Sequence, residues 1–198
     1  GISQLGYYQI ATRFGFELPS EIKSVVSQIM FPAFSRMKSS NDRLKKGFIN
    51  VFSLTLIVAI PICTFIFLNA SNIVLVFLGV KWINAIPAMK ILVIAGFFHI
   101  INSIINPLFK GTGIPKYEFY VSLIQSILAI VLIVLLTTKY GIQGTAYSIL
   151  FSQSVPLIGS WHLLNKIIRI SLLELFNILA YPFIFGFLVF LISLTINN

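Results

Sequence analysis

The residues best equipped for chemistry sit near the start of an otherwise apolar chain. Arg13, Glu17 and Glu21 recur every four residues, and Lys23 follows two positions later. Residues four apart share one face of a helix. Arg13 and Glu17 can therefore pair, and Lys23 stands near Glu21. A charge inside a membrane span costs at least about 2.5–3.5 kcal/mol, and persists where it faces a water-filled cavity or a partner. One reading is a polar pathway for an anionic substrate, lined by Arg13, Glu17 and Lys23, with Arg13 and Lys23 as the attracting charges. The plainer reading is that Arg13 and Glu17 lie at the interface and snorkel. Lys90, one turn into a later apolar run, lines the same cavity or reaches out to headgroups. Asn102, Asn106 and Lys110 share a face beside Pro107. The two asparagines either line a vestibule or bond across helices as interhelical glue. Gln28, Gln125 and Gln153 are read as glue. His99 and His162 are read as hydrogen-bonded residues rather than a proton relay, because no acid lies one turn away to tune either one.

Enzyme chemistry is hard to assemble from what remains. The acids are Glu17, Glu21, Asp42, Glu118 and Glu174, and the sequence has no HExxH, no CxxC and no phosphate-binding glycine loop. Gly111-Thr112-Gly113 is preceded by no strand. The single cysteine, Cys63, lies in an apolar run and reads as a small core residue. The expectation is a protein without catalytic residues, metal or cofactor.

The elements that must position these groups are membrane spans. Of the 198 residues 58% are hydrophobic and 10% charged, against about 25% charged in an average soluble domain. A crossing needs about 20 apolar residues. Five runs qualify: 48–68, 87–109, 117–137, 142–164 and 175–196. A sixth, 5–34, is read as one long span broken at Pro19, with Pro32 near its end. The segment 69–86 is too short to cross and reads as an interfacial helix with Trp82 at headgroup level. The net charge of +9 is no nucleic-acid footprint, since the aromatics lie in charge-free runs rather than among the basic residues. The basic residues gather in alternate loops instead. Arg36, Lys38, Arg43, Lys45, Lys46, Lys110, Lys116, Lys166 and Arg169 fall on one side, and Arg13, Lys81 and Lys139 on the other. The first side is then cytoplasmic. The fold class expected is all-α, a polytopic bundle of about six spans forming a single domain over 1–198. No cleavable signal is expected, because Gly1 to Arg13 lacks a basic stretch leading into an apolar one. The chain does not begin with Met and reads as a fragment or processed piece.

Several stretches resemble the polysaccharide flippases, of the superfamily that also holds multidrug exporters and lipid II flippases. They are Leu5-Gly6-Tyr7-Tyr8-Gln9-Ile10-Ala11 with Arg13 and Pro19, then Phe31-Pro32-Ala33-Phe34-Ser35-Arg36, Gly79-Val80-Lys81-Trp82 and Ala85-Ile86-Pro87. The Gly111-Thr112-Gly113 turn and Tyr140-Gly141-Ile142-Gln143-Gly144-Thr145-Ala146 complete the ordered set. The subgroup resembled is the colanic-acid and teichuronic-acid exporter type. The resemblance implies a two-lobe transporter, with this chain as the C-terminal lobe from just after that lobe's first helix. It implies the bacterial inner membrane, an undecaprenyl-diphosphate-linked oligosaccharide as cargo, alternating access, and an N-terminal lobe as the other wall of the cavity. Arg13 falls in the recurring motif. The rival readings are a multidrug or cation exporter, which needs an acid deep in a span, and a membrane glycan-modifying enzyme, which needs paired acids or a histidine site in a sizeable loop.

Overall fold

The computed structural model describes the backbone of residues 2–197, with side chains except those at 2, 23–29, 172, 175–177, 194, 196 and 197. Helices account for almost all of it, and no strand occurs among the described residues. The first helical run joins α1 (Ile2–Thr12) to α2 (Leu18–Met37) through a π turn at Arg13–Glu17. Then come α3 (Asn41–Leu68), the short α4 (Ala70–Phe77), a 3-10 turn (Val80–Ala85), α5 (Ile86–Gly111), α6 (Pro115–Ile168) and α7 (Leu172–Asn197).

The expected break at Pro19 does not occur. The chain widens just before it: the Leu18 N–H donates to the Arg13 carbonyl, a bond to the fifth residue back. Pro19 then sits in the first turn of α2, where its missing N–H is one of the unpaired donors of a helix start. The widened turn admits the proline without interrupting the rod.

Among the described residues, α3, the run Val80–Gly111 and α6 are long and apolar enough to cross a membrane. As a straight rod α6 would measure about 80 Å, nearly twice a bilayer with its headgroups. It is not straight. Gly141 takes φ 58° and ψ −135° in its middle, a left-handed region that glycine enters without cost. The chain doubles back there: the Thr137 and Thr145 hydroxyls lie 2.9 Å apart, where a helix would carry residues eight apart by about 12 Å. The two expected runs 117–137 and 142–164 are the arms of this hairpin. Gly144 makes the reversal tight, because a Cβ there would collide with the Leu136 carbonyl oxygen.

Helices 3 and 7 run parallel, pinned at both ends. Near their starts Lys45 pairs with Glu174 at 2.8 Å and donates to the Arg169 carbonyl at 2.9 Å. Near their other ends the Asn69 amide donates to the Ser193 hydroxyl at 2.9 Å, with both residues buried. Between the pins Gly186 lets α7 approach, since a Cβ there would lie 2.6 Å from an Ile60 methyl.

The interior divides in two. Toward the Lys45 end it is built from large side chains, with Phe34, Phe48, Phe52 and Trp161 in ring contact in sequence at 5.4–6.5 Å between centroids. Toward the other end it is built from Ala11, Ala70, Ala85, Ala88 and Met89. In lipid, helices gain little from burying apolar surface and associate through close approach. That approach is seen where Gly15 meets α5: a Cβ there would come within 2.6 Å of the Met89 carbonyl. It recurs at Gly111, where a Cβ would stand 2.8 Å from the Phe34 Cβ.

These contacts bring the basic loops together. The 110–116 turn lies against the end of α2 through Gly111, Phe34 and Ser35, and the start of α3 is tied to 169–174 through Lys45. At the far end Trp82 packs against Gly6 and edge-on to Tyr7, with ring centroids 5.8 Å apart. Alternate loops thus share an end, as the charge pattern requires.

A capping box starts α7. The Ser171 N–H donates to Glu174 Oε2 and the Glu174 N–H to Ser171 Oγ, at 2.8 and 3.2 Å. The hydrogen bond from Lys45, and next that from the Ser171 backbone, hold the Glu174 carboxyl below its ordinary value of 4.5. A carboxyl with a lowered folded value contributes stability above its unfolded value, and that contribution is lost as pH falls. Protection of the amides in the first turn of α7, taken relative to their intrinsic exchange rates, should therefore be highest near neutral pH and fall below about pH 4.5, and Glu174→Gln should remove this dependence.

Candidate functional site

The face of the first helical run that turns away from α5 is polar where the rest of the chain is apolar. Ala11, Gly15 and Pro19 are buried, with Gly15 against α5. On the other side Gln9, Arg13, Glu17 and Glu21 are exposed in one stripe. In a regular helix, residues four apart drift by about 40° each time. The π turn lies between Arg13 and Glu17, and its extra residue winds that drift back. The bulge thereby keeps the stripe on one side while Gly15 stays seated on α5.

Depth follows from the ends of the run. Gly6 lies beside Trp82 at one end and Phe34 beside Gly111 at the other. Glu17 is about 16 Å along the axis from Gly6, and Glu21 about 20 Å from Phe34. The two carboxylates thus sit near the middle of the rod. Were this run a membrane crossing, a carboxylate at that position could not reach either interface by snorkelling as a terminal Lys or Arg can.

The individual expectations fare differently. Arg13, Glu17 and Glu21 share the face that their spacing implies. Arg13 and Glu17 do not form the expected ion pair: among the described residues the ion pairs are Lys45–Glu174 and Lys110–Glu118. Both side chains are exposed, where an ion pair contributes little. Lys23 belongs to α2, and its side chain lies outside the described residues, as does that of Gln28. Lys90 points to α3, with Nζ 5.5 Å from the Phe67 ring centroid. Gln9 joins the stripe although the sequence reading passed over it; its signal was its place one turn before Arg13.

Asn102 is 3% exposed, and its amide donates to the Gln153 carbonyl at 3.0 Å. His99 Nδ1 lies 3.2 Å from Gln153 Oε1, and its ring is 5.0 Å from that of Phe16 in the π turn. A polar seam therefore joins α5 to the second arm of α6 behind the bulge. Asn102 Oδ1, Asn106 Oδ1 and Gln125 Nε2 are buried without protein partners. An orphaned acceptor offsets much of what a neighbouring bond contributes. Asn102→Leu, which removes both at similar volume, is accordingly expected to change stability by less than about 1 kcal/mol. Asn102→Ala, which leaves a cavity, is expected to cost about 2 kcal/mol. Thermal unfolding in detergent separates the two.

Fold and site together define an integral membrane protein: an all-α bundle, three of whose described helices are long and apolar enough to cross a membrane, with one charged helix face. The comparisons narrow the class. Residues 1–87 match the family model described as polysaccharide biosynthesis protein. The chain is 22% identical over 84% of its length to the lipopolysaccharide biosynthesis protein WzxC of Escherichia coli, covering 34% of that protein. It is 25% identical over its whole length to the teichuronic acid biosynthesis protein TuaB of Bacillus subtilis, covering 42%. With the succinoglycan biosynthesis transport protein ExoT of Rhizobium meliloti it shares 26% identity over 64% of its length, covering 26%. No solved structure matches. The chain thus spans roughly a third of the length of these relatives. All of them are proteins of polysaccharide biosynthesis, in agreement with the resemblance read from the sequence.

Proposed function

We propose that this chain forms one lobe of a flippase that carries lipid-linked oligosaccharide units across the bacterial inner membrane. The observation that carries this reading is the exposed stripe Gln9, Arg13, Glu17 and Glu21, on a helix whose opposite face is buried against α5. The names of the relatives support it, one of them being called a transport protein. In the proposed layout the first helical run, α3, α5, the two arms of α6 and α7 make six crossings, with the basic loops in the cytoplasm. The stripe faces a second lobe across a wet cleft. Arg13 and, nearer the cytoplasm, Lys23 draw in an undecaprenyl-diphosphate headgroup, which cannot enter hydrocarbon unaided because burying its charge is prohibitive. The lipid tail stays in the bilayer, and rocking of the lobes exposes the cleft to each side in turn. Asn102 serves as interhelical glue in this scheme, and Asn106, one turn on along the same helix, is assigned with it. The acid-dependent exporter alternative has only Glu17 and Glu21 as acids away from the ends of a span, since Asp42, Glu118 and Glu174 lie in first turns of their helices, and the cation beside them suits an anionic cargo better. The test is transport by the full-length protein carrying Arg13→Ala or Lys23→Ala; unchanged flipping in both removes them from the pathway.

A further inference from the structure

Helices 3, 5 and 7 enclose an open pocket of about 330 Å³, within the size range of small-ligand sites. Its wall is almost wholly carbon: Ile60, Cys63 and Phe67 from α3, Val93 and Phe97 from α5, and Phe183 from α7. Its rim holds a charge. Lys90 precedes Val93 by three residues and Phe97 by seven, so it stands on the pocket-lining face of α5, one turn nearer the helix start. Its ammonium lies 5.5 Å from the ring centroid of Phe67, itself part of the wall. No carboxylate pairs with it among the described residues.

An apolar pocket with one unpaired ammonium at its mouth complements an amphiphile with a single anionic head. Lys90 sits one turn into α5, close in sequence to Trp82, so its charge lies at the depth of lipid phosphates rather than of acyl chains. We propose that this pocket holds one acyl chain of an anionic glycerophospholipid, with the phosphate bound by Lys90. The ammonium supplies charge selectivity and the wall supplies affinity for the chain. This site is separate from the Arg13 stripe and independent of what the protein transports.

The test uses the full-length protein in detergent, titrated with phosphatidylglycerol or phosphatidylcholine of identical chains, with bound lipid counted by native mass spectrometry. One phosphatidylglycerol should be retained about fivefold more tightly than phosphatidylcholine, the effect of one basic residue near an anionic headgroup. Lys90→Ala should erase the difference and Lys90→Arg should keep it. Val93→Phe, which fills the pocket, should weaken both lipids, and Cys63→Leu provides a second filling variant should the first not fold. Equal binding of the two lipids to the unaltered protein, or a preference that survives Lys90→Ala, would overturn the proposal. So would displacement of phosphatidylglycerol by equimolar undecaprenyl phosphate, which would mark an isoprenoid site. Retention of no lipid at all would also overturn it, since a further segment of the protein would then fill the pocket.

Discussion

Replacing Arg13 by alanine is expected to slow flipping of a lipid-linked oligosaccharide by about tenfold in proteoliposomes, with the protein still folded and inserted. A charge-assisted hydrogen bond contributes about 1.5–3 kcal/mol, and about 1.4 kcal/mol corresponds to tenfold. Arg13→Glu should cost more, because it adds a third carboxylate to a stripe that already carries Glu17 and Glu21. Arg13→Lys should restore part of the rate, since a lysine keeps the charge and loses the bidentate fork. Fold stability should move little in all three, because Arg13 is exposed and forms no ion pair with a described residue. Lys139→Ala, which removes an exposed cation beside the α6 reversal, is the control and should leave the rate unchanged. If Arg13→Ala flips at the unaltered rate, or Lys139→Ala slows flipping as much, Arg13 has no special part in a pathway.

The second large effect concerns folding. Gly144→Val is expected to abolish accumulation of folded protein in the membrane. A side chain at 144 meets the backbone of Leu136 and Thr137, and backbone cannot move aside as a flexible side chain can. Opening the hairpin would also separate the Thr137 and Thr145 hydroxyls and lift Ala146 from the small-residue core. Overpacking of a dense interior costs about 1–3 kcal/mol where side chains can relax, and more where they cannot. Gly141→Ala should be milder, at about 1–3 kcal/mol, the cost of holding a residue with a Cβ in a sparsely populated backbone region. No atom crowds that position, so strain is its whole cost. Thermal unfolding in detergent ranks the two; equal stability of Gly144→Val and the unaltered protein would mean that the reversal is looser than the structure has it.

Much of this architecture could be read along the chain, for a reason peculiar to lipid. Without water to hydrogen-bond exposed backbone, a long apolar run has only the helix open to it, so runs such as 48–68 and 87–109 specify elements directly. The reversal at Gly141 was legible too, because Lys139-Tyr140-Gly141 interrupts apolar sequence with a residue that tolerates positive φ. The Arg13, Glu17 and Glu21 stripe followed from helical period alone. The π turn did not. It accommodates Pro19 locally, but it also accompanies contacts far away in sequence, the seating of Gly15 on the Met89 carbonyl and of Gly96 against the backbone of Gly15 and Phe16. The two fates of the amides were equally hidden: Asn102 can pay its desolvation in a vestibule or against another helix, and only the neighbouring Gln153 carbonyl selects the second.

By itself, then, the sequence determined that this chain is helical, that it lives in lipid, where its turns fall and which charges share a face. These are local matters, governed by hydrogen bonding within each helix and by the period of a single rod. Tertiary structure alone decided which way each face looks, that Lys90 turns to Phe67 rather than to Arg13, and that a bulge rather than a break precedes Pro19. Those outcomes depend on which backbones approach closely, and small residues permit such contacts without naming their partners.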